Sequence, residues 1–194
     1  GNRAITDAYE PGSVQKVLTM AALLDAGLIS GDTTVEVPGQ IMSGGAFIND
    51  AWSHGSLYLT ARGVLAKSSN VGTVQLTRQM DKATLSNYLA SFGLGSSTGI
   101  ELPGESGEAM GVLPGADMAD YTRDQISFGQ GLSVTAIQEA AAIASVARKT
   151  SFAASDRRRS STRRCSGSKP RGGRLRRSPT KSKTASNSSA ARRA

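Results

Sequence analysis

Between Pro11-Gly12 and Gly27 the chain carries Val14, Val17, Leu18, Met20, Ala21, Ala22, Leu23 and Leu24. On a 3.6-residue period these apolar residues cover most of a helix's circumference, so the segment predicts a central helix around which a domain must be built. Pro11 suits the first turn of that helix, which is expected from about Ser13 to Ala26, and Gly27 suits its C-terminal cap. The same helix opens with Ser13-Val14-Gln15-Lys16, so a hydroxyl and an amine stand three residues apart at the start of a helix expected to be buried.

Residues i and i+3 of a helix lie about 60° apart in projection and about 4.5 Å apart along the axis, so Ser13 and Lys16 can share a face. An amine can accept a serine proton only when neutral, and enclosure by apolar neighbours is the physical route to a lowered lysine pKa. The free N–H groups and the dipole of a helix N-terminus also favour an oxyanion forming beside Ser13. Ser-x-x-Lys is a short pattern, and it recurs from Ser166 to Lys169 and from Ser178 to Lys181. The first copy is set apart by the Pro-Gly before it and the apolar helix after it. A second candidate is Ser68-Ser69-Asn70, since only Asn70 of the five asparagines has a serine two positions earlier. A turn there could aim the Ser68 hydroxyl at a leaving group, and the Asn70 amide at a substrate carbonyl and at Lys16. Helix N-caps use the same residue types.

Elsewhere the pattern is mixed. Thr33 to Val37 and Ser56 to Leu59 read as brief strands in a region that is otherwise loop, broken by Pro38-Gly39 and Ser43-Gly44-Gly45. Thr60 can cap a short helix through Ala66, and a further helix is expected from Ser69 to about Gln79. Asp81 caps an amphipathic surface helix in which Leu85, Tyr88, Leu89 and Phe92 follow the i, i+3, i+4, i+7 rule and Gly93 ends the run. Residues 94–124 are rich in Gly, Pro and acidic groups and read as a long surface excursion. Thr135-Ala136-Ile137-Gln138 matches a capping box at the head of an almost wholly apolar helix reaching about Ala147.

Charge divides the chain at that point. Residues 1–147 hold 7 Lys/Arg against 14 Asp/Glu, a net of -7, and residues 148–194 hold 16 Lys/Arg against Asp156 alone, a net of +15. After Phe152 the only large apolar residue is Leu175. Such a segment cannot bury enough surface to offset its ordering entropy, so a disordered basic tail is expected over 148–194. It could contact nucleic acid through its charge, but no aromatic follows Phe152 to stack on bases, and no specific nucleic-acid partner is expected. Cys165 is the only cysteine and His54 the only histidine. An intrachain disulfide and a cysteine-based metal site are therefore excluded, and a Ser-His-Asp mechanism would have to be built on His54, whose sequence neighbours do not suggest one. No apolar run is long enough to span a membrane. The start at Gly1 reads as a piece of a longer protein.

Four stretches carry a family resemblance. Glu10-Pro11-Gly12-Ser13-x-x-Lys16, Gly63-Val64-Leu65-Ala66-Lys67-Ser68-Ser69-Asn70-Val71-Gly72, Phe92-Gly93-Leu94-Gly95 and Ser127-Phe128-Gly129-Gln130-Gly131-Leu132-Ser133-Val134-Thr135 closely resemble the transpeptidase domain of division-type class B penicillin-binding proteins. The resemblance covers about residues 2–146. It implies an α+β fold of the serine transpeptidase/β-lactamase kind, present mostly as its helical part (1–147), and a peptidoglycan D,D-transpeptidase acylated by β-lactams. By resemblance Ser13 is the nucleophile, Lys16 its base, and Ser68 and Asn70 the second active-site motif. Lys67 receives no role. The implied partners are D-Ala-D-Ala stem peptides, β-lactam antibiotics and division-complex membrane proteins. The implied location is the extracytoplasmic face of a bacterial membrane, and no cofactor or metal is expected.

The family's third motif, Lys-Thr/Ser-Gly, lines one cleft wall and supplies an oxyanion-hole N–H. Neither Lys-Thr-Gly nor Lys-Ser-Gly occurs in the 194 residues, and the nearest string, Lys149-Thr150-Ser151, lacks the glycine and follows the Thr135 helix too soon. The abrupt change near Ala147 reads as a shift of reading frame, with the tail out of frame, and the chain is expected to be impaired. A serine β-lactamase is the rival reading but needs a carboxylate to activate the deacylating water. A non-catalytic penicillin-binding protein is a second.

Overall fold

The computed structural model describes residues 2–105 and 111–148, all of which lie within the unit Gly1–Ser155. The basic tail from 149 onward, with Lys149-Thr150-Ser151, Cys165 and the two later Ser-x-x-Lys copies, falls outside the described residues. The described part is α+β. Seven helices are described: α1 (Arg3–Thr6), α2 (Gln15–Asp25), α3 (Ala61–Ala66), α4 (Asn70–Thr77), α5 (Lys82–Ser91), α6 (Asp120–Ser127) and a last helix, α7, over 136–148. Four short strands, β1 (Thr34–Val37), β2 (Gln40–Ser43), β3 (Ala46–Asn49) and β4 (Leu57–Thr60), pair as two antiparallel ribbons, β1 with β4 and β2 with β3.

The central helix forms as its pattern predicts, entered through a 3-10 turn over Gly12–Val14 and closed at Gly27, with Leu28 N–H donating back to Leu23 O at 3.1 Å. α2 packs against α3, α4, α5 and α6. Leu18, Met20, Ala22 and Leu23 are buried, and so are Gln15, Lys16 and Thr19. Val14 and Leu24 are exposed, so the buried face is broad but not the full circumference. It also includes polar residues that an apolar count leaves out.

The capping residues explain where the other helices start. Thr60, Ser69 and Asp81 each accept a hydrogen bond from the backbone N–H three residues on, satisfying a donor that a helix start otherwise leaves free. Thr135 and Gln138 form the reciprocal capping box, with Thr135 N–H donating to Gln138 Oε1 at 2.9 Å and Gln138 N–H to Thr135 Oγ1 at 3.3 Å. Leu85 and Leu89 carry α5 into the core shared with Leu18, Leu23, Val71 and Val74.

Two elements differ from expectation. The segment between β1 and β4 contains the β2–β3 hairpin, in register from Gln40↔Asn49 to Ser43↔Ala46. Gly44 and Gly45 both have positive φ (55° and 85°), the geometry of the tight turns that match strand twist. The surface excursion also ends sooner, because residues 120–127 are the helix α6. Its only aliphatic residue is Ile126, and a helix held chiefly by polar contacts leaves no apolar stripe. Among the described residues no helix is long and apolar enough to cross a membrane.

Candidate active site

Ser13 lies in the turn entering α2, just after Gly12 at φ +58°, and is exposed, while Lys16 one turn on is 1% exposed. The Lys16 amine donates to Ser13 Oγ at 3.1 Å, to Ser68 O at 2.7 Å and to Ser68 Oγ at 2.9 Å. Ser68 Oγ donates in turn to Ser13 Oγ at 3.1 Å. Burial pushes the Lys16 pKa down from 10.5 to about 8, against the opposing pull of the Asp50 carboxylate. A group that the solvent would keep charged is thus brought near the neutral range by desolvation.

Ser68 follows the C-terminal end of α3 with φ 53°, a left-handed conformation that costs a non-glycine residue about 1–2 kcal/mol. Backbone bonds from Ser68 N–H to Leu65 O and from Ser69 N–H to Val64 O, both 3.0 Å, hold it there. This twist lets the carbonyl and the hydroxyl of one residue face the same amine. Asn70 opens α4 and lines the same cleft as Ser13. Its Nδ2 donates to Asn49 O at 3.0 Å, so the amide is anchored on β3, whereas the expected amide-to-Lys16 contact is replaced by the bonds of Lys16 to Ser68.

The opposite side of the entry is closed by the segment Ser127 to Gly131. Gly12 N–H donates to Gly129 O at 2.9 Å, and a Cβ on Gly129 would stand 1.9 Å from Gly12 O. Gly129 is therefore required both by this approach and by its own φ of +91°. Gly131 N–H donates to Glu10 Oε1 at 2.8 Å, and Thr19 Oγ1 donates to Ser127 O at 2.8 Å. These bonds tie the segment to both sides of Ser13.

A cleft of about 350 Å³ opens at Ser13, with Asn49, Asn70, Tyr121, Gln125 and Gln130 as its other polar lining residues. The far wall is the β2–β3 hairpin held against α6. Ser43 Oγ and Arg78 Nη2 both donate to the buried Asp124 Oδ2, at 2.7 and 2.6 Å, and Arg78 Nη2 also donates to Met42 O at 3.2 Å. Hydrogen bonds from Arg78, Ser43 and Arg123 hold the Asp124 carboxyl below its ordinary range against the opposing effect of burial.

Residues 1–187 match the family described as "Penicillin binding protein transpeptidase domain". The chain belongs to this family. Penicillin-binding protein PbpB of Mycobacterium tuberculosis is 42% identical over 139 residues, 71% of this chain and 20% of that protein. Peptidoglycan D,D-transpeptidase FtsI of Escherichia coli is 37% identical over 147 residues, 75% of this chain and 24% of that protein. The crystal structure of penicillin-binding protein 3 from M. tuberculosis complexed with aztreonam is similar at 41% identity with a TM-score of 0.67, covering 72% of this chain and 31% of that one. The chain thus spans about a fifth to a quarter of the length of the curated relatives named. As a member of the penicillin-binding family, it has its Ser-x-x-Lys serine and lysine and its Ser-x-Asn turn in hydrogen-bonded reach of one another.

Sequence reading missed Asp50 and His54 as neighbours of this site. Asp50 is buried and accepts from Ser69 Oγ, Val71 N–H and His54 Nε2 at 2.7, 3.0 and 3.1 Å. His54 stacks against Trp52, and Lys67, for which the sequence offered no role, holds its amine over the Trp52 ring. Serine, aspartate and histidine do meet here, but with the aspartate in the middle and Ser69 rather than Ser13 as the serine, so these three groups form no proton relay to Ser13. The available sequence signal was the spacing of Asp50 and His54, four residues apart.

Proposed function

We propose that this chain carries the acyl-accepting part of a peptidoglycan D,D-transpeptidase site that takes D-Ala-D-Ala stem peptides and is acylated by β-lactams. The observation that carries the reading is the buried Lys16 amine bonded to both the Ser13 and the Ser68 hydroxyls. A neutral amine has two N–H bonds and one lone pair. With its N–H groups on Ser68 O and Ser68 Oγ, the lone pair is left for the Ser13 proton.

In this mechanism Lys16 takes that proton as Ser13 Oγ attacks the penultimate D-Ala carbonyl. The C–N bond to the terminal D-Ala breaks, and the proton reaches the leaving amine through Ser68 Oγ. An acceptor amine then attacks the ester, the C–O bond to Ser13 breaks, and Ser13 recovers its proton. Asn70, anchored on Asn49 O, lines the cleft where the substrate amide would lie. The relatives' names support the substrate class, one being a peptidoglycan D,D-transpeptidase and another a penicillin-binding protein.

Among the described residues lining the cleft none is Asp or Glu, which favours a long-lived acyl-serine over the β-lactamase reading. A division-complex role at the outer face of a bacterial membrane follows the same relatives. Lacking Lys-Thr/Ser-Gly, and with 148–194 read as an out-of-frame tail, the chain should acylate slowly. One missing oxyanion donor costs on the order of 3–4 kcal/mol. Intact-mass measurement after exposure to a labelled penicillin tests both claims. Slow addition of one penicilloyl group, abolished in Ser13→Ala, is the expected result. Labelling that persists in Ser13→Ala would overturn the site, and rapid stoichiometric labelling would overturn the impairment.

A further inference from the structure

Asp50 is 3% exposed, and a buried carboxylate costs several kcal/mol unless its oxygens are matched by donors. Two of its three donors come from the start of α4. Oδ1 accepts from Val71 N–H at 3.0 Å, and Oδ2 accepts from Ser69 Oγ at 2.7 Å. Between those two residues sits Asn70, whose amide donates to the carbonyl of Asn49, the residue just before Asp50. Residues 49 and 50, at the end of β3, therefore grip 69, 70 and 71, the start of α4. Ser69 Oγ also accepts from Gly72 N–H at 2.8 Å, so the hydroxyl is used both ways.

This grip lies directly after Ser68, whose left-handed backbone persists only where the surroundings over-determine it. The charged and titratable groups facing Asp50 are His54 Nε2 at 3.1 Å, from its own loop, and the Lys16 amine from α2, on which its charge acts. Lys67 stands one layer further out, over the Trp52 ring that stacks on His54.

We propose that Asp50 is a positioning residue for the acylation site: by gripping Ser69 and Val71 it fixes the Ser68–Asn70 turn, and with it the two Ser68 acceptors that hold the Lys16 amine. The inference rests on the reading of Ser13, Lys16, Ser68 and Asn70 as that site. Burial alone would make Lys16 a still weaker base, and the Asp50 carboxylate offsets part of that effect. The residue thus couples the geometry of the second motif to the proton affinity of the first.

The test uses the full chain with 13Cε-labelled lysine, the Lys16 signal being assigned by its loss in Lys16→Arg. Asp50→Asn keeps an acceptor for Val71 N–H and removes the charge. Its Lys16 titration midpoint should fall by about half a pH unit or more while the circular dichroism stays that of the parent. A folded Asp50→Asn with an unmoved Lys16 midpoint overturns the proposal, since a purely structural carboxylate would change stability alone. Should Asp50→Asn fail to fold, Ser69→Ala decides. It removes the bond to Asp50 together with the cap on Gly72 N–H and leaves the charge, and amide exchange at Val71 should accelerate about tenfold or more relative to Leu76 in the same helix. Equal protection at both positions overturns the grip. Neither readout needs acylation. A parent chain that penicillin does not label would therefore overturn the functional reading, while the Lys16 midpoint and the Val71 exchange rate would still decide what Asp50 does.

Discussion

Lys16 and Ser68 meet at two points, the amine donating to the Ser68 carbonyl at 2.7 Å and to its hydroxyl at 2.9 Å. Two acceptors from one residue fix the direction of the amine more firmly than one, and they leave its third position toward Ser13 at 3.1 Å. Proton transfer from Ser13 requires the neutral amine, whose fraction rises with pH around a pKa brought down to about 8 by burial. The rate of penicillin acylation should therefore rise with pH and level off above about 8, well short of the ordinary lysine value of 10.5. Labelling rates measured across this range check the prediction. A flat profile, or one still climbing at pH 10, would count against Lys16 as the base.

Ser68 separates chemistry from strain. Its φ of 53° suits glycine, so Ser68→Gly relieves backbone strain, whereas Ser68→Ala retains it and both lose the hydroxyl. Ser68→Gly should be more stable than Ser68→Ala by on the order of 1 kcal/mol, after the greater chain entropy of glycine is set against the strain. Both should acylate about 100-fold more slowly, the usual contribution of a proton-transfer group. Urea denaturation of the two variants measures the first difference and penicillin labelling the second. Equal stabilities would mean that the left-handed backbone is not strained.

The parts of this fold that were legible in the sequence are those whose cause is local. Thr60, Ser69, Asp81 and Thr135 announce helix starts because a cap is made within four residues, and the i, i+4 spacing of Leu85 and Leu89 announces a buried helix face. The proximity of Ser13 to Lys16 was legible for the same reason, being one helical turn. α6 was not, because Asp124 is buried by Ser43 and Arg78, 81 and 46 residues away. The hairpin was overlooked although Gly44-Gly45 between two four-residue runs is a turn signal, since Met42 and Phe47 are exposed and weaken the alternation. Asp50 was invisible as a site residue because its partners, Ser69 and Val71, lie 19 and 21 residues on. Only the fold reveals which carboxylate the Ser68–Asn70 turn rests on.

Gly129 carries a steric prediction. In Gly129→Ala the new methyl group would stand 1.9 Å from Gly12 O, and the nearest atoms it meets are all Gly12 backbone. No side chain can move aside, so the segment Ser127–Gly131 must lift from the turn that presents Ser13. Backbone strain and overpacking together should lower stability by on the order of 3 kcal/mol. Acylation by penicillin should fall further than stability does, because Gly12 directly precedes Ser13. The midpoint of urea denaturation and the labelling rate below that midpoint separate the two losses. A variant with parental stability would show that the Gly12 N–H to Gly129 O contact of 2.9 Å is not maintained in solution.

Stability should pass through a maximum in the alkaline range, because two groups act with opposite sign. Lys16 has a folded pKa of about 8 against an ordinary 10.5. Between these values the unfolded chain holds a proton that the folded chain has released, so its contribution to stability increases with pH. Tyr9 donates to Glu139 Oε2, and this bond raises its pKa from 10.0 to about 12. Between those values the folded chain keeps a proton that the unfolded chain has lost, so its contribution decreases with pH. The two windows meet near pH 10. Urea denaturation from pH 7 upward should show stability rising above about 8 and declining above about 10. Lys16→Met should flatten the ascending limb alone, and Tyr9→Phe the descending limb alone. An ascending limb that survives in Lys16→Met would mean that the amine is not desolvated in the folded chain, and the case for Lys16 as a base would fall with it.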